Sequence, residues 1–312
     1  MRPIGWTTEF DHLLGRYGAR VAIADARGEI SYRDLLRKAA GIAVALAEAG
    51  ARPGEAVATA FTNDRDAAAA MFAVMMSGAT EVPLNPALGA ADRAHCLTVA
   101  GVRLVLTSDA VAPAFAETGA RILTVDGIVP CDLDPRNGCL CEPDSPARIV
   151  FTSGTTGRPK GAVHTQGGRW LANLLLRASL PHRPGPGSRV LLMTPFSHGT
   201  SLMTHAYLSS GASVALHDGV DPAVIWPLID CGRCDAIFAP PTVLAKIVDS
   251  AGGRRVDGLR AIFCGTAVLK PALYERAKAV FGPVIRVTYG KSEVFNPITV
   301  LEAAETEEWY RK

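Results

Sequence analysis

Residues 149 to 165 read I-V-F-T-S-G-T-T-G-R-P-K-G-A-V-H-T. Ile149, Val150 and Phe151 form an apolar, strand-like run, and Thr152 to Gly161 then carry four hydroxyl side chains, three glycines, one proline and one lysine. Gly154, Gly157 and Gly161 let the backbone turn its N–H groups inward, Thr152, Ser153, Thr155 and Thr156 add hydroxyl donors, and Lys160 adds a mobile positive charge. Such a loop suits a polyphosphate. The same composition also suits a solvent-exposed turn. It is not the nucleoside-triphosphatase loop G-x-x-x-x-G-K-[ST], because Pro159 precedes Lys160 and Gly161 follows it, which disfavours a kinase or GTPase.

A second stretch able to do chemistry is T-Y-G-K-S-E at 288 to 293, directly after the apolar run Val284 to Val287. Tyr289 can stack a purine, Ser292 can donate to an α-phosphate oxygen, and Glu293 can hold Mg²⁺ through a hard carboxylate oxygen. Ligands of α/β sheets sit beyond the carboxyl ends of strands, although an ordinary strand and turn would read alike.

The elements that must position these stretches are legible in outline. Residues 21–25 read as a short strand and 30–32 as a turn. Ser31 is a good N-cap for a helix with Leu35, Ala39, Ile42 and Leu46 at helical spacing, ended by Gly50 and Pro53. Strands are expected over 57–61, 81–84 and 102–107, an amphipathic Ala/Met helix over 64–77 and a further helix over 89–100. Continuous apolar strands alternating with helices predict parallel sheet covered on both faces. Residues 129–146 are rich in Pro, Asp and Cys and read as a surface connector. Beyond the glycine-rich loop come a helix over 167–180 and a loop over 181–187. Strands at 190–194, 213–216 and 236–239 with helices near 201–210, 222–231 and 241–250 imply a second α/β unit.

Composition narrows the function. The 312 residues are 48% hydrophobic and carry a formal charge of +2 with basic and acidic residues interspersed, so the chain is globular and has no electrostatic footprint for nucleic acid. The N-terminus carries Glu9 and Asp11 and lacks a secretory apolar core, and the longest apolar run, 67–76, is too short to span a bilayer. A cytoplasmic protein is expected. Seven scattered cysteines fit reduced thiols; neither Cys231-Gly-Arg-Cys234 nor Cys139-Leu-Cys141 has a second pair at zinc spacing. The histidines at 12, 95, 164, 182, 198, 205 and 217 are dispersed, with no H-E-x-x-H pattern.

T-S-G-T-T-G-R-P-K-G resembles, position for position, the signature loop of the adenylate-forming superfamily, which includes acyl- and aryl-CoA synthetases, peptide-synthetase adenylation domains and firefly luciferase. The order A-x-P-G-E-A-V-A, then a helix ending in S-G-A-T-E-V-P-L-N-P, is similar to what precedes that loop in acyl-CoA synthetases. Residues 288–293 resemble the family's Y-G-x-T-E motif with Ser292 in the threonine's place. Residues 261–273 resemble its G-G-A-x-L segment, whose backbone lies along adenine. This assigns Gly265, Thr266 and Ala267 to the nucleotide, with Thr266 standing where a glycine is usual, so that a Cβ there could crowd the purine. Pro195-Phe-Ser-His-Gly199 resembles the motif that opens the acyl pocket, with His198 matching and Ser197 departing.

The resemblance implies two stacked α/β subdomains with mostly parallel sheets, as in the family's large N-terminal domain, here residues 1–312 and incomplete at the C-terminal end. It implies ATP or AMP held by Thr152, Ser153, Gly154, Thr155, Thr156, Gly157, Lys160, Gly265, Thr266, Ala267, Tyr289, Gly290 and Ser292. It implies Mg²⁺ on Glu293 and Thr155, and catalysis by Lys160, Ser292, Glu293 and His198. A carboxylate would attack the α-phosphorus of ATP to give an acyl-adenylate, then pass to a thiol such as coenzyme A or a carrier. Amino-acid-activating relatives place an aspartate near the acyl pocket; no acid lies between Thr194 and Gly211, so the expected substrate lacks an α-amino group. The family's β-barrel part, ribose aspartate and small C-terminal domain with its lysine have no counterpart after Glu293, where residues 294–312 read as a polar tail. A poorly active ligase fragment and a non-catalytic nucleotide-binding protein both follow from that, and a homodimer is possible.

Overall fold

The computed structural model describes residues 2–152, 157–180, 183–294 and 296–312. Six strands form one sheet in the order Lys160–Thr165, Pro146–Thr152, Thr80–Pro83, Ala56–Ala60, Leu104–Thr107, Arg121–Thr124. All neighbours are parallel except the first two, which make an antiparallel hairpin. Eight strands form the other sheet in the order Thr299–Val300, Ile285–Tyr289, Ala261–Cys264, Ala236–Phe238, Arg189–Leu192, Ser213–Leu216, Val21–Asp25, Gly28–Ser31. Its interior is parallel and its two edge strands are antiparallel. Both sheets are open. The architecture is therefore the expected pair of stacked, mostly parallel α/β units.

The period of two along each strand sorts side chains into separate cores. Leu104 and Leu106 point into the layer between the sheets while Val105 packs outward. Val190 and Leu192 likewise enter that central layer while Leu191 and Met193 face the far side of the eight-stranded sheet. Ala90–Val99 covers the outer face of the smaller sheet, and Pro222–Asp230, Pro241–Asp249 and Pro271–Phe281 cover that of the larger.

Helices fill the middle. Arg65–Ser77 starts on Asp64, whose side chain accepts from the Asp66 and Ala67 N–H groups at 2.9 and 3.0 Å, and stops on left-handed Gly78. Every residue from Asp66 to Met76 is buried, so this helix is enclosed on all sides rather than amphipathic as its sequence suggested. Trp6–Tyr17, not foreseen as a helix, packs beside it through Trp6 and Phe10.

Three other expectations change. Residues 30–32 do not form a mere turn: Gly28–Ser31 pairs antiparallel with Val21–Asp25, and the helix Tyr32–Glu48 starts immediately after, capped by Ser31 as anticipated. The connector 129–146 is anchored, because Leu140–Cys141 pairs with Ile4–Gly5. The supposed polar tail is docked structure. Ala303–Arg311 is a helix opened by a capping box between Glu302 and Glu305; Thr306 is fully buried, and Tyr310 stacks on Tyr274 at 4.3 Å and donates to the Leu269 carbonyl. Arg286, also buried, pairs with Glu302.

All seven cysteines are free thiols. Burial pushes the Cys234 thiol up to about 12, which disfavours its thiolate. Among the described residues no helix is long and apolar enough to cross a membrane.

Candidate functional site

A cavity of about 880 Å³ opens at the carboxyl ends of Pro146–Thr152, Ala261–Cys264 and Ile285–Tyr289. It is lined by Thr152 and Pro159 from the glycine-rich hairpin and by Tyr289, Gly290, Lys291 and Ser292 from the second motif. Thr266 and His198 are among its other polar lining residues. The two stretches lie more than a hundred residues apart in the chain, yet they share one concavity.

Thr152 pairs with Lys160 across the hairpin, which fixes where the loop leaves and returns. Of the loop positions assigned to nucleotide or metal, Ser153, Gly154, Thr155 and Thr156 lie outside the described residues. Gly157 has φ +139°, a conformation other residues avoid. Just beyond it, His95 Nε2 lies 3.0 Å from the Pro159 carbonyl and ties the loop to Ala90–Val99. Lys160 is exposed at the head of the return strand and does not itself line the cavity.

On the opposite wall, Thr299–Val300 pairs with Thr288 and Tyr289, and the Ile298 N–H donates to the Tyr289 carbonyl at 2.8 Å. Tyr289 is thereby fixed in backbone but 60% exposed, so its ring face is open to a ligand. Glu293 is exposed and stands just off the lining. Mg²⁺ commonly takes one or two carboxylates together with substrate phosphates and water. Among the described residues no three His, Cys, Asp or Glu side chains gather into a metal cage, so a lone carboxylate such as Glu293 fits a metal delivered with a nucleotide better than a resident one.

The Gly265-Thr266-Ala267 turn contributes Thr266 alone to the lining. Gly265 is obligatory, because a Cβ there would meet Thr288 Oγ1 at 2.3 Å. Thr266 has φ +68°, left-handed for a β-branched residue. The position where the resemblance expects a second glycine is thus one whose backbone favours glycine.

His198 lies in a distorted turn, Phe196–Thr200, with its own φ and ψ at −118° and −136°. Arg148 braces this turn from below: its Nη2 donates to Ser201 Oγ at 2.8 Å and to the Ser197 carbonyl at 3.3 Å. Desolvation by the surrounding walls, and then the Arg148 charge, hold the His198 pKa below the ordinary histidine value.

Arg148 belongs to a cluster that motif reading missed. Glu81 Oε2 lies 3.1 Å from Arg169 Nη2 and 3.7 Å from Arg148 Nη1, and all three side chains are at most 4% exposed. Burial lowers both arginines, Arg169 to about 10, with Glu81 opposing the shift. The available signal was a charge inside an apolar strand, Glu81 in T-E-V-P and Arg148 in A-R-I-V-F, which only pairing makes tolerable. His164, dismissed above among dispersed histidines, also belongs here: its Nε2 lies 2.7 Å from the Ser292 carbonyl. A carbonyl only accepts, so Nε2 carries the proton. Burial lowers its pKa, with Arg148 and Arg169 adding to the effect while the Ser292 bond and Glu293 oppose it.

Residues 10–311 match the family described as AMP-binding enzyme. The chain is 30% identical over 287 residues to feruloyl-CoA synthase from an Amycolatopsis species, a match covering 89% of this chain and 57% of that protein. The chain thus spans little more than half the length of this curated relative. Among solved structures it is similar to o-succinylbenzoate coenzyme A synthetase from Bacillus subtilis in complex with AMP, with TM-score 0.85, 22% identity, and coverage of 98% of this chain and 63% of that one. It is similar in fold to VinN in complex with L-aspartate as well, with TM-score 0.85, 18% identity, and coverage of 99% and 81%.

Proposed function

Because the chain belongs to the AMP-binding enzyme family, we propose that its cavity holds ATP beside a carboxylic acid and serves AMP-forming activation of that acid. The carboxylate oxygen attacks the α-phosphorus, pyrophosphate leaves, and the resulting acyl-adenylate transfers its acyl group to a thiol such as coenzyme A, releasing AMP. The observation that carries this reading is the single concavity shared by the hydroxyl-rich hairpin and the Tyr289–Ser292 corner.

In it, the Tyr289 ring and the Thr266 turn flank the purine. Thr152 and the loop hydroxyls and N–H groups receive the phosphates, with Lys160 reaching in from the hairpin, and Ser292 donates to the α-phosphate. Two anionic reactants must meet, so positioning and fixed positive charge do most of the work. Lys291, not anticipated from the motif, lines the cavity and is exposed, and supplies a second cation at this point. Mg²⁺ accompanying the nucleotide would neutralise phosphate charge, with Glu293 and Thr155 as its protein ligands.

The acid occupies the side lined by Val150, Met193, Leu202, Met203 and Phe238, with His198 at its entrance. Asp92, on the helix Ala90–Val99, is the acid residue on the cavity wall among the described residues, and the Pro195–Met203 stretch carries none, which favours a substrate without an α-amino group. The test has two parts. Calorimetry should show MgATP and AMP binding to the 312-residue chain, and carboxylic acids of aryl, fatty and short-chain type should then be screened for acid-dependent pyrophosphate release. Absence of nucleotide binding would refute the reading. Binding without any acid-dependent release would favour a nucleotide-binding protein that does not turn over.

A further inference from the structure

Beyond Tyr289 the second wall loses the support of the sheet. Tyr289 itself is held by Thr299–Val300 and by the Ile298 N–H, but residues 290–294 leave the strand and close on themselves through Val294 N–H to the Lys291 carbonyl at 3.0 Å. Among the described residues, the hydrogen bond that ties this turn back to the rest of the fold comes from His164, at 2.7 Å to the Ser292 carbonyl. His164 sits on Lys160–Thr165, the return strand of the glycine-rich hairpin, and is 8% exposed. One imidazole therefore joins the two walls of the cavity across 128 positions of chain.

We propose that His164 is a positioning residue that sets the gap between the hairpin and the 290–294 turn, and so places Ser292 and Glu293 against the phosphates and their metal. This rests on the nucleotide reading above. The Ser292 carbonyl needs a donor, and the buried ring supplies it as the Nε2–H tautomer without bringing a charge between the walls. His95, on the helix Ala90–Val99, makes a like contact at 3.0 Å from the Pro159 carbonyl, so imidazole meets a backbone oxygen near both ends of the phosphate-loop return. The bond acts on the turn and leaves Tyr289 untouched, because that residue is fixed by its own ladder. Release of the bond should thus harm groups that meet the polyphosphate and metal more than the platform that meets the purine.

Three variants test this by titration with MgATP and with AMP. His164→Leu removes the donor. His164→Gln carries an amide N–H near the position of Nε2, and His164→Asn carries one only as far as Nδ1. His164→Leu is expected to weaken MgATP about tenfold or more, equivalent to about 1.4 kcal/mol, and AMP, which shares the Ser292 contact at its α-phosphate but not the metal on Glu293, by less than about threefold. His164→Gln should stay within about threefold of the unaltered chain for MgATP, and His164→Asn should resemble His164→Leu. The proposal is overturned if His164→Leu binds MgATP normally, if it loses both nucleotides equally, or if Gln and Asn are indistinguishable. Should His164→Leu fail to fold by circular dichroism, the contrast between Gln and Asn decides. A wild-type chain that binds neither nucleotide would remove the functional reading itself, and that outcome is visible before any variant is made.

Discussion

The buried cluster beneath the His198 turn and the rim of the cavity use charge in opposite ways. Glu81, Arg148 and Arg169 are enclosed between the sheets and pair with one another, and Arg148 also donates to a neighbouring hydroxyl and a carbonyl. Lys160, Lys291 and Glu293 stand in solvent at the cavity mouth. In the first region water cannot replace a lost partner, so charge is a structural element. In the second, water solvates the side chains already, and the energy of a new contact is available to a ligand.

The largest effect that would break this contrast is at Glu81. Glu81→Leu leaves two guanidinium groups buried without their carboxylate and should destabilise the chain by about 3–5 kcal/mol in urea unfolding. Adding Arg148→Met and Arg169→Met should recover much of that loss, since a well-packed apolar substitute for a buried ion cluster is often neutral. A cost under about 1 kcal/mol for Glu81→Leu, the range of an exposed pair, would erase the distinction between core and rim.

At the rim the expectation reverses. Lys160→Ala and Lys291→Ala should each leave stability within about 0.5 kcal/mol while weakening ATP by about 1.5–3 kcal/mol, the usual worth of a hydrogen bond to a charged group. Lys160→Ala should hurt ATP more than AMP. Equal loss for both nucleotides in calorimetry would remove Lys160 from the β- and γ-phosphates and leave Lys291, which lines the cavity, as the principal cation there.

Histidine places pH dependence on the buried side of the comparison. Burial lowers the pKa of His205, held among Trp6, Phe10 and Phe72, well below its ordinary value, and lowers His164 and His198 as well. The unfolded chain, with histidines near about 6.5, then binds more protons than the folded one below that pH. Stability is therefore greatest above about pH 6.5 and falls as pH drops, by about 1.4 kcal/mol per pH unit for each such proton. His205→Phe should flatten the slope between about pH 5 and about pH 6.5 by roughly one proton's worth in urea titrations. An unchanged slope would show that His205 takes its proton within the fold.

The same division explains what was legible in the sequence. Strands with continuous apolar runs and the Ser31 cap announce themselves locally and lie where expected, and Thr152, Pro159 and Tyr289 to Ser292 from the two motif stretches line one cavity. The Trp6–Tyr17 helix was readable too, since Trp6, Phe10, Leu13, Leu14 and Tyr17 recur at helical spacing, but it did not figure among the expectations. The tail was misread because its Glu-rich composition looks solvated, whereas its fixing contacts, Tyr310 on Tyr274 and Glu302 on Arg286, come from other strands and helices. The His164 bond and the Glu81 cluster are likewise products of topology; single residues 20 to 130 positions apart carry no local pattern.

Thr266 gives the smallest effect and the finest test of how the rim differs from the core. Its neighbour Gly265 cannot accept a side chain, since even a methyl group would lie 2.3 Å from Thr288 Oγ1. Thr266 itself keeps a side chain at φ +68°. A left-handed backbone costs a non-glycine residue about 1–2 kcal/mol, and replacing it by glycine returns part of that, about 0.5–1 kcal/mol, to the entropy of the unfolded chain. Thr266→Gly should thus raise stability by a net of about 0.5–1 kcal/mol in thermal unfolding. Because Thr266 and Tyr289 line the same cavity, removal of the Thr266 side chain should also tighten AMP if a purine lies there. Gly265→Ala, one residue earlier and buried, should do the reverse and destabilise. If Thr266→Gly stabilised the fold but weakened AMP, the threonine would be a ligand contact held at the expense of its backbone, and the purine would approach its side chain rather than the bare turn.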